Sequence, residues 1–293
     1  RKTCTARTLS EYLALFDTLQ STGALWVTLS GGEPMAHPEF WEIARGGSER
    51  GLLLRIKTNG HALTRDRAQR LATEVAPFGV ELSLHGARPG SHDQQTQVPG
   101  SFTTLLRNVR DAVDVGLPCR LNATLTRLNE NEVEAMFAIA DDIGVPLRFD
   151  PVVTIRDNGD RSPLALTASA EGKAHLLQVL EARRGARHAA AAGKDDRNRA
   201  ARYCAAGASS LCIDPFGDLF PCVQWRKPIG NLRSFDLTTM WQSAAALQDV
   251  RETTRALHHQ RDQLAPGYCP GAAWTAAATP PAPRTSRRRL RVV

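Results

Sequence analysis

Two sets of residues in this chain could do chemistry. The first is Gly31-Gly32-Glu33-Pro34, where the apolar run "ALWVTL" stops. Two glycines leave backbone N–H and C=O groups open to a close approach, and the acid beside them can help hold something small and charged. Gly-Gly is also ordinary turn chemistry, so this motif alone permits a plain turn. The second set is cysteine. Cys4 and Cys119 stand apart, whereas Cys204, Cys212, Cys222 and Cys269 all fall after residue 203. Seven residues separate Cys204 from Cys212 and nine separate Cys212 from Cys222. Zinc knuckles usually place two cysteines about two to four residues apart, and no such pair exists here. Iron–sulfur clusters are also held by cysteine thiolates, and four are available. Zinc and iron–sulfur both remain open at this point.

The composition bounds what these residues can serve. A chain of 293 residues can bury a sizeable core, and 42% hydrophobic with 23% charged residues is usual for a globular protein. No apolar run approaches the ~20 residues that cross a membrane, and the first residues do not resemble a signal peptide. A cytoplasmic protein without a membrane partner is expected, with its cysteines free or metal-bound rather than in disulfides. The net charge of +7 suggests nucleic acid, but the final "PAPRTSRRRLRVV" supplies five arginines and no acid. Without that tail the body is only mildly basic, so a nucleic-acid partner is not expected and the tail reads as a solvated, disordered end.

The elements that must position the first set alternate in character. Tyr12, Leu15, Phe16 and Leu19 recur at helical spacing up to Gly23, and "ALWVTL" then reads as a strand. The helix "HPEFWEIARGGSER", the strand "LLLRIKT", the helix "TRDRAQRLATEV" and the strand "VELSLH" follow. Ser101 is expected to cap the stripe Phe102, Leu105, Leu106, Val109 and Val113, which stops at Gly116. The strand "CRLNATLT", a helix with Val133, Met136, Phe137, Ala140 and Ile143, and the strand "PLRFDPVV" complete the series. Five strands alternating with helices predict an α/β fold with a parallel sheet, whose ligands sit at the carboxyl ends of the strands. Those ends carry Gly31-Gly32-Glu33-Pro34, Thr58-Asn59-Gly60, Ser83-Leu84-His85-Gly86, Asn122 with Thr124, and Arg148 with Asp150. Polar or glycine-rich residues at five ends in register point to a ligand site rather than to five unrelated turns.

"LSGGEP", then "KTNG", then "SLHG", each one helix and strand apart, resemble the radical S-adenosylmethionine (SAM) enzymes over roughly residues 8–153. The resemblance implies a partial (β/α)6 TIM-like barrel, here lacking its first strand. It implies that Gly31, Gly32, Glu33 and Pro34 line the methionine end of SAM, with Glu33 and the exposed backbone suited to its ammonium. It places Ser83 and Asn122 near the ribose and makes Asn59 and Arg148 further pocket members. His85 and His92 read as rim or structural residues. The family holds its SAM-reducing [4Fe–4S] cluster on a C-x3-C-x2-C loop, and no such motif occurs in these residues. The chain is therefore expected to begin just after that loop and to be inactive as it stands.

The second half has its own signals. "RDNGDRSPLALTAS" reads as a linker, and a helix expected around His175–Glu181 runs into the patternless "ARRGARHAAAAGKDDRNRAAR", an exposed helix or disordered connector, so that 154–203 marks a domain boundary. In "CAAGASSLCIDPFGDLFPCVQW" the turn Asp214–Asp218 folds two short strands together, with Leu219 and Phe220 pointing to opposite faces, and so brings Cys212 near Cys222. After Cys269, "AAWTAAATPPAPRTSRRRLRVV" shows no periodicity. This half resembles the SPASM extension of peptide-modifying radical SAM enzymes. The resemblance implies a small domain with a β-hairpin and helices at 204–279, a disordered tail at 280–293, and one auxiliary [4Fe–4S] cluster on Cys204, Cys212, Cys222 and Cys269. Cys119 is expected to be a core residue and Cys4 incidental. The family further implies a 5′-deoxyadenosyl radical made from SAM, a peptide substrate (a ribosomal peptide or a quinone-cofactor precursor), sometimes a peptide-recognition partner, and an electron donor such as flavodoxin or ferredoxin. The alternative is a non-catalytic peptide-binding module with a degenerate barrel and a metal-stapled C-terminal domain.

Overall fold

The structure, a computed structural model, describes residues 6–156, 159–190, 204–260, 263–264 and 268–278. Its first unit alternates α1 (Leu9–Ser21), β1 (Trp26–Leu29), α2 (Phe40–Glu49), β2 (Leu53–Thr58), α3 (Arg65–Glu74), β3 (Gly79–Ser83), α4 (Pro89–Thr96), α5 (Ser101–Asp114), β4 (Cys119–Thr124), α6 (Val133–Ile143) and β5 (Leu147–Asp150). The five strands pair in sequence order, all parallel. That order arises when every strand returns through a helix on the same side of the sheet.

Alternation along the strands separates two faces. Leu54, Ile56, Val80, Leu82, Leu121, Ala123 and Phe149 form the apolar face and share one core with Phe16, Phe40, Leu71, Leu105, Val109 and Met136 of the helices. The opposite face carries Arg55, Lys57, Glu81, Ser83, Arg120, Asn122 and Arg148. Glu81 is only 6% exposed there. Its carboxylate pairs with Arg55 at 3.3 Å, with Lys57 and Arg120 each at 3.5 Å, and accepts a hydrogen bond from Asn122 Nδ2 at 2.8 Å.

Helix starts follow local chemistry in one case and distant chemistry in another. Thr8 and Glu11 form a reciprocal capping box on α1. Ser101, read from sequence as the cap of α5, is instead its first helical residue, and Gly100 precedes it at φ +80°. The cap comes from Asp93 of α4, whose carboxylate accepts from Gly100 N at 2.6 Å, Phe102 N at 2.8 Å and Ser101 Oγ at 2.9 Å. The Phe102 N–H in particular holds the Asp93 carboxyl below its ordinary pKa. No local pattern reveals a cap donated from another helix.

The helix expected around His175–Glu181 is α7 (Ala170–Ala190), longer at both ends, and Ala168 and Leu176 join the first core, so this segment is packed against the sheet unit. Arg183 lies over the Phe137 ring at 4.3 Å and bonds Asp141 at 2.8 Å, which seats α7 on α6. Cys4, the connector from residue 191 to 203 and the basic tail lie outside the described residues.

The second unit is a three-stranded antiparallel sheet, β6 (Cys212–Ile213), β7 (Asp218–Phe220) and β8 (Gly230–Asn231), with α8 (Leu237–Ser243), α9 (Ala245–His259) and α10 (Pro270–Ala278). Leu219 and Phe220 are both buried, at 0% and 6% exposure, so the hairpin has no solvent face at these positions. Leu219 packs with Leu237 and Met240 and against Leu15 and Leu19 of α1. The guanidinium of Arg226 covers the Phe220 ring at 4.1 Å. The "AAWTAAA" stretch, patternless in sequence, is helix α10, since alanines favour a helix without marking a buried face.

Removing the Glu81 carboxylate would leave three cations facing one another on a partly dry surface. Glu81→Ala is expected to lower unfolding stability by about 2–4 kcal/mol in urea titration, below the figure for a fully buried pair because its partners are partly solvated. A loss under ~0.5 kcal/mol would rule this account out.

Candidate functional site

The loop after β1 is held by its own acid. Glu33 Oε1 accepts from Met35 N at 3.0 Å, and its carboxylate accepts from Thr58 Oγ1 at 2.9 Å and Asn59 N at 2.8 Å. Thr58 and Asn59 end β2, so Glu33 ties the mouth of one strand to the next. A carboxylate has about four acceptor sites, and three donors leave room for one more. Thr58, one of the polar strand-end residues, is thereby paired with Glu33, a contact that no local pattern signals.

The glycines of the strand ends divide into two kinds. At Gly60, φ is +78° and a Cβ would stand 2.7 Å from Leu105 Cδ1, so that glycine is required by the turn and the packing. At Gly31 and Gly32 a Cβ would meet no protein atom within 4 Å, and both residues are exposed. Nothing in the chain itself requires the absence of a side chain at Gly32. Open space over paired glycines beside an anchored acid fits a ligand such as the methionine end of SAM.

Ser83, Asn122 and Arg148 are successive register partners across β3, β4 and β5 and form one row at the sheet's carboxyl edge. Asn122 reaches back to Glu81, while Arg148 is exposed. Asn59 is exposed, its Oδ1 accepting from His61 N at 2.8 Å. Glu33, Asn59, Ser83, Asn122 and Arg148 are thus distributed along one edge over five adjacent strands.

Beyond β3, His85 and His92 lie with ring centroids 5.6 Å apart in a polar network. His92 Nδ1 accepts from His85 N at 3.1 Å, and Gln95 Nε2 meets His85 Nδ1 at 3.0 Å. Gln95 Oε1 accepts from Thr126 Oγ1 at 2.9 Å, which turns the amide nitrogen toward the imidazole. His85 Nδ1 is then the acceptor and Nε2 carries the proton. Burial, with His92 adding to it, pushes His85 down to about 4, and burial also lowers His92.

Three of the second set, Cys204, Cys222 and Cys269, lie near one another. Cys204 and Cys222 pack beside Ala206, Trp225, Val250 and Trp274. Cys222 Sγ accepts from Trp225 N at 3.3 Å, and Cys269 Sγ accepts from Ala272 N at 3.4 Å. Backbone N–H groups aimed at sulfur suit thiolates bound to iron. Burial pushes Cys222 up to about 11 and raises Cys269, with neighbouring thiols adding to each, so loading metal here must release protons. Cys212 lies on β6 opposite Phe220, two residues before Cys222. Among the described residues no three His, Cys, Asp or Glu side chains converge on a point suited to one metal ion. Cys119, buried in the sheet and pushed up to about 12, behaves as a core residue.

The two sets are physically joined. Asp150 at the end of β5 accepts from Gln224 Nε2 at 3.2 Å, and Gln224 Oε1 accepts from Cys269 Sγ at 2.8 Å. Pro151, Val153, Lys173, Cys269 and Ala272 line a small cavity at this junction.

A parallel sheet with an open glycine edge, followed by a cysteine-bearing antiparallel unit, defines an iron–sulfur enzyme architecture of the SAM-dependent type. Residues 1–140 match the radical SAM superfamily and residues 204–270 match an iron–sulfur cluster-binding domain, SPASM; the chain belongs to the radical SAM superfamily and carries that extension. It is 25% identical to an AdoMet-dependent heme synthase of Methanosarcina barkeri, over 84% of this chain and 76% of the relative. It is 30% identical to a PqqA peptide cyclase of Ruegeria pomeroyi, over 81% of this chain and 66% of the relative. Streptococcus suis SuiB bound to its precursor peptide SuiA shares the fold with a TM-score of 0.67 at 15% identity, over 84% of this chain and 60% of that one. Among the described residues no helix is long and apolar enough to cross a membrane.

The burial of His85 has a consequence for pH. Its folded pKa lies below its unfolded value, so the unfolded chain binds more protons and stability falls as pH drops from about 6.5 to about 4. Nitrogen-15 histidine spectra are expected to show His85 neutral and Nε2-protonated at pH 6, and protonation midway near 6.5 would contradict this.

Proposed function

We propose that this chain is the SAM-binding and auxiliary-cluster portion of a radical SAM enzyme that modifies a peptide. The observation that carries the reading is the open Gly31-Gly32 edge with Glu33 anchored beside it, at the carboxyl end of a parallel sheet that leads into the cysteine pocket. Gly31, Gly32 and Pro34 shape the methionine end of the SAM site, and Glu33 accepts its ammonium at its remaining acceptor position. Ser83 and Asn122 meet the ribose, and Asn59 and Arg148 border the pocket. Cys204, Cys212, Cys222 and Cys269 hold one auxiliary [4Fe–4S] cluster. When bound, SAM and a reduced iron–sulfur cluster supply a 5′-deoxyadenosyl radical that takes a hydrogen atom from substrate.

The residues of this chain bind and orient around that chemistry. Glu33 fixes the β1 loop against β2, so that the ammonium and the sheet edge keep one spacing. Asp150 and Gln224 join the substrate side of the barrel to the Cys269 segment, so peptide at the mouth lies beside the auxiliary cluster. The three-cysteine loop for the SAM-reducing cluster is not among these 293 residues. The PqqA peptide cyclase relative and the peptide-bound SuiB fold neighbour support a peptide substrate. Free cysteines fit a reducing cytoplasm, with a flavodoxin or ferredoxin as electron donor.

Because Gly32 has open space above it, Gly32→Val tests the ligand site without disturbing the fold. SAM affinity by calorimetry is expected to fall at least ~10-fold while the melting temperature stays unchanged. Equal affinity in the variant would remove the assignment. In the auxiliary site, Cys222→Ala is expected to abolish the visible iron–sulfur absorption after anaerobic reconstitution, with matching loss of iron and sulfide. Retained absorption, or zinc in place of iron in the wild type, would reject the cluster.

A further inference from the structure

Trp225 is 3% exposed, yet its indole Nε1 has no acceptor among the described residues. Buried N–H groups almost always find a partner, so this one calls for an explanation. The ring is held firmly. Its backbone N–H goes to Cys222 Sγ at 3.3 Å, and Gly271, two residues beyond Cys269, presses against it so closely that a Cβ there would come within 2.7 Å of Trp225 Cβ. The indole packs with Ala206, Val250, Cys204, Cys222 and Trp274. In that set only the two cysteines bear a side-chain acceptor, both are sulfur, and neither receives the Nε1 proton. A buried donor without a partner among the described residues, pinned between the Cys222 and Cys269 segments, is placed to serve a sulfur-bearing group held by those cysteines.

We propose that the Trp225 indole N–H donates a hydrogen bond to the auxiliary cluster and thereby raises its reduction potential. The inference rests on the assignment of that cluster to Cys204, Cys212, Cys222 and Cys269. Reduction adds negative charge to the cluster and its sulfurs, so a fixed donor stabilises the reduced form more than the oxidised form. Trp225 acts as a positioning and tuning residue, not as a ligand. Phenylalanine keeps most of the ring's packing and removes the donor.

The test is an EPR-monitored redox titration of the anaerobically reconstituted full chain, wild type beside Trp225→Phe, with iron and sulfide measured on each sample. The variant is expected to keep its iron and sulfide and to titrate at a more negative potential. Pulsed EPR of the reduced wild type, grown with indole-15N tryptophan, is expected to show a nitrogen coupling and a deuterium-exchangeable proton. Both should vanish in Trp225→Phe and persist in Trp274→Phe. A fully loaded variant with unchanged potential overturns the inference. So does a wild type without the nitrogen coupling, a result that stands even where Trp225→Phe does not fold. A wild type that takes up no iron–sulfur cluster overturns the cluster assignment, and this inference with it.

Discussion

Successive side chains of a β-strand must point to opposite faces, and this alternation governs the whole first unit. Leu54, Ile56, Val80, Leu82 and Leu121 go under the helices, and the residues between them are forced onto the other side. There Arg55, Lys57 and Arg120 would repel one another were Glu81 not among them. The sheet thus has one dry apolar face and one charged face, and the strand ends rise from the boundary between the two. A sheet with two apolar faces would need helices on both sides and would leave no polar hollow for a substrate.

On that frame, Glu33 has two duties that do not conflict. Three donors from Met35, Thr58 and Asn59 keep it in place, and a carboxylate can accept one more. Gly32 before it has neither a positive φ nor a packing neighbour, in contrast to Gly60, where both the backbone angle and the neighbouring Leu105 exclude a side chain. A glycine that the fold does not need marks the place where something other than the fold set the sequence.

The cysteine unit is not an independent attachment. Leu219 of its hairpin packs against Leu15 and Leu19 of α1, and Arg7 N donates to Pro215 O at 2.9 Å. Gln224 bridges Asp150 of the barrel and Cys269 of the pocket. These contacts fix the cysteine-bearing unit against the end of the sheet. Trp225 lies between the Cys222 and Cys269 segments, its indole donor without a partner among the described residues.

The sequence by itself determined the order of strands and helices, the parallel sheet, the glycine edge and the cysteine-bearing second half. Those features follow from local periodicity and from residue types at strand ends, which act over a few neighbours. Pairings between distant residues left no such trace. The cap that Asp93 gives α5 comes from another helix, the partners of Glu33 lie on the next strand, and α10 was hidden in an alanine run without an apolar stripe. Glu81 looked like one acid in a strand until its neighbours on β2 and β4 supplied three cations, and Trp225 looked like one aromatic until its surroundings left Nε1 without an acceptor. Only the tertiary structure could decide these, because a hydrogen bond or an ion pair depends on which groups meet across the sheet, and the local pattern of a chain does not encode what stands opposite it.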